Sequence, residues 1–157
     1  MKILHIVRHG KALQDYNSIS DIDRPLVEKG IVKSIMMAKR VKDTYPIPDL
    51  IISSPAARAL HTAHIFARIF GYSSANVLVE DALYMNGEDI ILNFLEGLSD
   101  EIGSVALVAH NPDLSYLSGL FLPSVTCLPT SGVVSLRLET EHWSTIRNAV
   151  ASGNQMI

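Results

Sequence analysis

Short apolar runs alternate along the chain with longer segments of helical spacing. Ile3 to Val7 is a short, mostly apolar run and predicts a buried strand. Leu26 to Tyr45 is long and mixed and predicts a helix, stopped by Pro46 and Pro48. Leu50-Ile51-Ile52 predicts a second buried strand. Ser54-Pro55 then offers a cap residue and a first-turn proline for a helix running to about Phe70, with Gly71 ending it. Val77 to Val79 predicts a third strand, Gly87 to about Leu98 a third helix, and Val105 to Ala109 a fourth strand. Asn111-Pro112 repeats the cap-then-proline start, with a helix to about Phe121. Val133 to Leu138 alternates like a half-buried strand, and Trp143 to Arg147 is read as a last strand. The alternation predicts an α/β fold, a mostly parallel sheet with helices on both faces. Nothing in it resembles a linker, so residues 1–157 are read as one domain.

Composition narrows the class. Of the 157 residues, 48% are hydrophobic, which suits a packed core. The formal charge is −3 and no basic run appears, which argues against a nucleic-acid partner. The first apolar stretch is too short and too quickly charged for a signal peptide, and no apolar run approaches membrane-spanning length. Cytoplasmic localisation, with no membrane partner, is the expectation. Cys127 is the single cysteine and suits a reducing compartment; it is read as a buried structural residue rather than a nucleophile.

In open parallel sheets, ligands bind beyond the carboxyl ends of the strands. There the first strand ends in Arg8-His9-Gly10, the second in Ser53-Ser54 with Arg58 one turn into the next helix, and the fourth in His110-Asn111. Side chains early in a helix lean toward its N-terminus, so Arg58 is expected to point back at the sheet edge. Two arginines and two histidines thus converge. Guanidinium forks match phosphate oxygens, and a neutral imidazole is a competent nucleophile toward phosphorus. Such a ring needs one nitrogen free and the other donating, and a carbonyl near Gly10 could accept that bond. Gly10 would also let backbone approach a ligand closely. Helix N-termini at Ser54 and Asn111 would add positive potential. His61 and His64, three apart on a helix, leave metal binding as a rival, but no carboxylate or cysteine accompanies them in a ligand pattern. His5 is read as structural and His142 as a surface strand residue.

These residues resemble the histidine phosphatase superfamily. Arg8-His9-Gly10 resembles its signature. Ser53-Ser54-Pro55-Ala56-Ala57-Arg58-Ala59 with Thr62-Ala63 resembles its second motif, and Val108-Ala109-His110-Asn111-Pro112 its third. Asp23-Arg24-Pro25-Leu26 with Glu28-Lys29-Gly30, and Pro129-Thr130-Ser131-Gly132, resemble the SixA-type phosphohistidine phosphatases. The resemblance implies a three-layer α/β/α sandwich with a mixed, mainly parallel sheet, and neither cofactor nor metal. It implies His9 as nucleophile, with Arg8, Arg58 and His110 completing a catalytic phosphate site. Gly10, Lys11 and Asn111 are further candidates for phosphate contact.

Many superfamily members place an acid after the third strand. Here Glu80 and Asp81, then Glu88 and Asp89, are the candidates, none a clear match. A phosphate ester leaves as an alkoxide and needs that acid, whereas phosphohistidine leaves as an imidazole and asks less. The expected substrate is therefore a phosphorylated protein, such as a histidine-phosphotransfer protein. A small phosphorylated metabolite, ester or anhydride, is the alternative.

Overall fold

The computed structural model describes residues 1–14 and 17–156. Its strands are β1 (Lys2–Arg8), β2 (Leu50–Ser53), β3 (Leu78–Val79), β4 (Ser104–Ala109), β5 (Val133–Leu138) and β6 (Ala151–Met156). Its α-helices are α1 (Glu28–Thr44), α2 (Ala57–Phe70), α3 (Glu88–Glu96) and α4 (Asp113–Phe121). The strands form one sheet in the order β3-β2-β4-β1-β5-β6. β3, β2, β4 and β1 pair in parallel, while β5 and β6 join antiparallel. The sheet is therefore mixed and mainly parallel, as the resemblance implied.

Strand alternation splits the core into two faces. Leu4, Ile6, Val105 and Leu107 pack with Leu92 and Leu95 of α3 and Leu114 and Leu117 of α4. Val7, Ile51, Ala106 and Val108 face the other way, against Val41 of α1 and Ala63, Phe66 and Phe70 of α2. The result is a three-layer α/β/α sandwich. β4 is buried at every position because it lies between two strands under both helical layers. Gly71 ends α2 in the left-handed region at φ 74°, its amide reaching Arg68. No described helix is long and apolar enough to cross a membrane.

Several elements differ from the sequence expectation. Residues 143–148 form a 3₁₀ helix rather than a strand. Trp143 and Ile146, three apart, both turn inward. His142 is exposed, but precedes that turn instead of lying in a strand. The last strand is β6, an edge strand whose Ser-Gly-Asn-Gln stretch carries no apolar signal. The two cap-then-proline starts also fail. α2 begins at Ala57 and α4 at Asp113, so Ser54 and Asn111 lie outside the helices and their side chains turn to other partners. α1 begins at Glu28, because Leu26 is engaged in an isolated bridge to Ala12. Cys127 is exposed, not buried.

Candidate active site

The pairing register brings three strand ends together. Arg8 pairs with Ala109 and Ser53 with Val108, so the next residues, His9, His110 and Ser54, lie side by side. The His9 amide bonds the Ala109 carbonyl at 3.1 Å, and the Ser54 amide the Val108 carbonyl at 3.0 Å. A cleft of about 320 Å³ opens over this edge, lined by Arg8, His9, Lys11, Asp21, Arg24, Arg58, Met85, His110, Asn111 and Thr130, with Ala12 and Gln14 at its side.

His9 is buried, and its Nδ1 donates to the Gly10 carbonyl at 2.7 Å. Nε2 therefore keeps its lone pair, and it accepts from Arg58 Nε at 3.4 Å. The two bonds fix one tautomer. Burial first, then Arg58, Arg8 and Arg24, push the ring's pKa down to about 4 against the opposing Gly10 bond. His9 is thus neutral at physiological pH. The ring of His110 lies 5.0 Å from that of His9, centroid to centroid. Burial, then His9 and Arg58, lower its pKa to about 3. Its Nε2 meets Ser54 Oγ at 2.7 Å, while its Nδ1 is buried without a partner among the described residues. Ser54 thus anchors a histidine instead of capping a helix.

Arg58 is 3% exposed, far from the solvated charge common at helix starts. Its guanidinium donates to the Asp21 carbonyl and, at 3.0 Å, to Asp21 Oδ2. The same carboxyl group accepts from Arg24 Nε at 3.0 Å and from the Tyr84 hydroxyl at 2.6 Å. Tyr84 first, then Arg24 and Arg58, hold Asp21 well below the usual carboxylate range against the effect of burial. The Asp21 bond in turn raises the Tyr84 hydroxyl. Tyr84 also sets its ring edge-on to His110, at 5.4 Å. Arg8 Nη1 donates to the Leu128 carbonyl at 2.9 Å, shared with the Asn111 amide, and Arg8 Nε has no partner among the described residues.

The structure thus gathers Arg8, His9, Arg58 and His110 in one cleft, with Lys11 and Asn111 on its wall. It does not bring the expected acids there. Glu80 caps the 3₁₀ turn of Asp81–Leu83 by accepting from the Ala82 amide at 3.1 Å, and Asp81 is exposed. That turn buries Leu83 and delivers Tyr84 to the site instead. Asp89 pairs with Arg147 at 2.8 Å, and Glu88 opens α3 outside the cleft. Gly10 is also tightly packed. Its amide donates to Thr62 Oγ1 at 3.0 Å, and a Cβ there would lie 2.9 Å from the Gly30 carbonyl of α1. Close packing against α1 requires the glycine. Asp21, Arg24 and Tyr84 are the site residues that sequence reasoning missed. The available signals were their place in connections leaving the carboxyl ends of β1 and β3 and, for Arg24, the Asp23-Arg24-Pro25-Leu26 segment. His61 and His64 sit half-buried on α2. Among the described residues no group of three or more His, Cys, Asp or Glu lies together as a metal site would need.

The sequence model of the histidine phosphatase superfamily (branch 1) matches residues 4–84, a span that holds Arg8, His9 and Arg58. The chain belongs to the histidine phosphatase superfamily, and its class of activity is that of a phosphatase. It is 27% identical over 137 residues to phosphohistidine phosphatase SixA of Escherichia coli (strain K12), covering 85% of this chain and 84% of that protein. Its fold superposes on the protein histidine phosphatase SixA complexed with tungstate with a TM-score of 0.81, at 25% identity, covering 98% of this chain and 96% of the other. A mycobacterial glucosyl-3-phosphoglycerate phosphatase shares the fold at a TM-score of 0.66 and 16% identity, over 98% of this chain and 97% of the other.

Proposed function

We propose that this phosphatase removes the phosphoryl group of a phosphohistidine on a protein, through a covalent phosphohistidine on His9 Nε2. The observation that carries the reading is the His9 tautomer: Nδ1 is committed to the Gly10 carbonyl and Nε2 is left with its lone pair beside Arg58. In the first step the Nε2 lone pair forms the new P–N bond as the substrate's P–N bond breaks. The departing ring leaves as neutral imidazole, its other nitrogen already protonated. In the second step water attacks phosphorus, the bond to Nε2 breaks, and His9 returns to its starting state. Arg8 and Arg58 meet the charge on the equatorial oxygens. Ser54 Oγ already accepts from the Ala56 amide, so its hydroxyl hydrogen is available to His110 Nε2. The His110 proton then sits on Nδ1, which donates to a phosphoryl oxygen.

Asp21 supports the choice of leaving group. It is the one carboxylate among the described residues lining the cleft, and its three partners keep it ionised. An ionised carboxylate cannot protonate an alkoxide, so a phosphoramidate suits this site better than an ester. Guanidinium groups supply the charge a divalent cation would otherwise bring, so turnover should persist in excess chelator. The exposed thiol of Cys127 fits work in the cytoplasm, where thiols stay reduced. The test compares phosphoramidate and a phosphohistidine peptide with a panel of phosphate monoesters and anhydrides. Preference for the P–N compounds is expected. Efficient hydrolysis of a metabolite ester with no action on phosphohistidine would replace this reading with the small-molecule one.

A further inference from the structure

The phosphate cleft does not end at His9. A second cleft of about 400 Å³ adjoins it, sharing Lys11, Gln14 and Thr130 and adding Lys29 and Lys33 of α1. Beyond it, Lys29 and Lys33 border an apolar strip where Val32 and Met36 are 51% and 58% exposed. A continuous track thus runs from the catalytic edge along the outer face of α1.

Its position is built in. The Val27 amide donates to the Lys11 carbonyl at 2.9 Å, and the backbone of Lys11 lies so close to Gly30 that any Cβ there would collide with it. The loop after β1 is therefore clamped to α1. Among the described residues, Lys11, Lys29 and Lys33 form no ion pair. The charge is also segregated. The three connected surfaces carry six of the chain's thirteen lysines and arginines, but among the described residues only Asp21 and Glu28 of its sixteen carboxylates. An acidic protein has gathered positive charge on the one face that holds its cleft.

We infer that the Lys29–Lys33 face of α1 is the docking surface for the protein substrate, and that it selects phosphohistidines flanked by acidic residues with an apolar side chain for the Val32–Met36 strip. This rests on the phosphohistidine reading above and names the surface that reads the surrounding protein. Lysines free of ion pairs beside the cleft attract an acidic segment and speed encounter. The apolar strip supplies the non-directional contact that such a segment would cover.

The experiment uses two synthetic phosphohistidine peptides, one flanked by Glu and Leu, the other by Lys and Leu, together with phosphoramidate. The wild-type enzyme should favour the acidic peptide about tenfold or more in kcat/KM, mostly through KM, and the preference should fade with added salt. The Lys29→Glu/Lys33→Glu variant should lose or invert that preference, keep wild-type turnover of phosphoramidate, and melt near the wild-type temperature. Equal kcat/KM for both peptides with the wild-type enzyme, or an unchanged preference in the variant, overturns the docking surface and leaves the His9 chemistry standing. Hydrolysis of phosphoramidate with neither peptide turned over overturns the protein-substrate reading itself.

Discussion

The two ends of the parallel strands treat buried polar groups in opposite ways. At the amino end the buried Lys2 and the neighbouring Asp49 have settled partners. Lys2 Nζ donates to the carbonyls of Asp100 and Ile102 at 2.6 and 2.9 Å and lies 5.6 Å from the centroid of the Trp143 ring. Asp49 Oδ2 accepts from the amides of Gly103 and Ser104 and from the Ser104 hydroxyl. At the carboxyl end, Arg8 Nε, His110 Nδ1 and Asn111 Oδ1 are buried without protein partners; elsewhere among the described residues only His5 Nε2 and Ser118 Oγ share that condition. An unpaired buried polar group costs stability. Three of them on one cleft is the pattern of a binding site, where the ligand supplies the missing partners. The amino end is organised for stability, while the carboxyl end leaves polar atoms open, as the proposed phosphoryl site needs.

The sharpest way to break this contrast is His9→Ala. Losing the proposed nucleophile should lower turnover about 10⁴-fold or more, with melting temperature at neutral pH little changed; wild-type rates in a folded variant would remove His9 from the reaction. Arg58→Lys comes next. Lysine keeps the charge but not the paired donors, so steady-state turnover should fall roughly ten- to a thousandfold, one or two charged hydrogen bonds at about 1.5–3 kcal/mol each. Since Arg58 is buried and bonded to Asp21, the melting temperature should fall as well. A variant with near-normal turnover would reduce Arg58 to a structural clamp for the Asp21 turn.

Acid should act on the same end. His9 and His110 have folded pKa values of about 4 and about 3, below the ordinary 6.5, so the unfolded chain binds more protons as pH falls. Their effect is absent above about pH 6.5. It grows to a loss of up to roughly 3 kcal/mol for His9 and roughly 5 kcal/mol for His110 as pH drops toward the folded values. His5, lowered by burial to about 4, adds to it. Asp21 has the opposite kind of shift, since its charged form is the favoured one, and its stabilisation is lost only below the ordinary carboxylate value of 3.8. Denaturant melts between pH 7 and 4.5 should show the decline, and His110→Asn should flatten it. A flat profile in the wild-type protein would mean that these rings are not held neutral. Lys2→Met should have the smallest effect: a loss of about 1–2 kcal/mol in a denaturant melt and unchanged kcat. A fall in kcat would show that the amino end is coupled to the cleft.

What the sequence disclosed follows the same division. β1 and β4 were legible because an apolar run between turn signals has few other readings. The three junctions followed from them, since topology puts ligands at the carboxyl ends of parallel strands. β6 was not legible, because only Met156 of that edge strand is buried and pairing to β5 alone makes it a strand. Trp143 and Ile146 looked like alternation when their spacing of three was helical. Ser54 and Asn111 had the composition of caps, yet His110 and the Leu128 carbonyl compete for them. Asp21, Arg24 and Tyr84 carry no periodicity. They meet only because two turns far apart in sequence fold over the same edge. The stretch after β3 does reach the site, but through Tyr84, which bonds Asp21 and faces His110, and not through a carboxylate.

The central claim is that the phosphoryl group rests on His9 Nε2 between two transfers. Rapid mixing with phosphoramidate, a denaturing quench at alkaline pH that preserves phosphohistidine, and mapping of the labelled peptide would test it directly. The account predicts one phosphoryl group per chain, on Nε2 of His9, appearing within a turnover and absent from His9→Ala. A phosphoryl group on another residue, or steady turnover with none trapped at any mixing time, would contradict it.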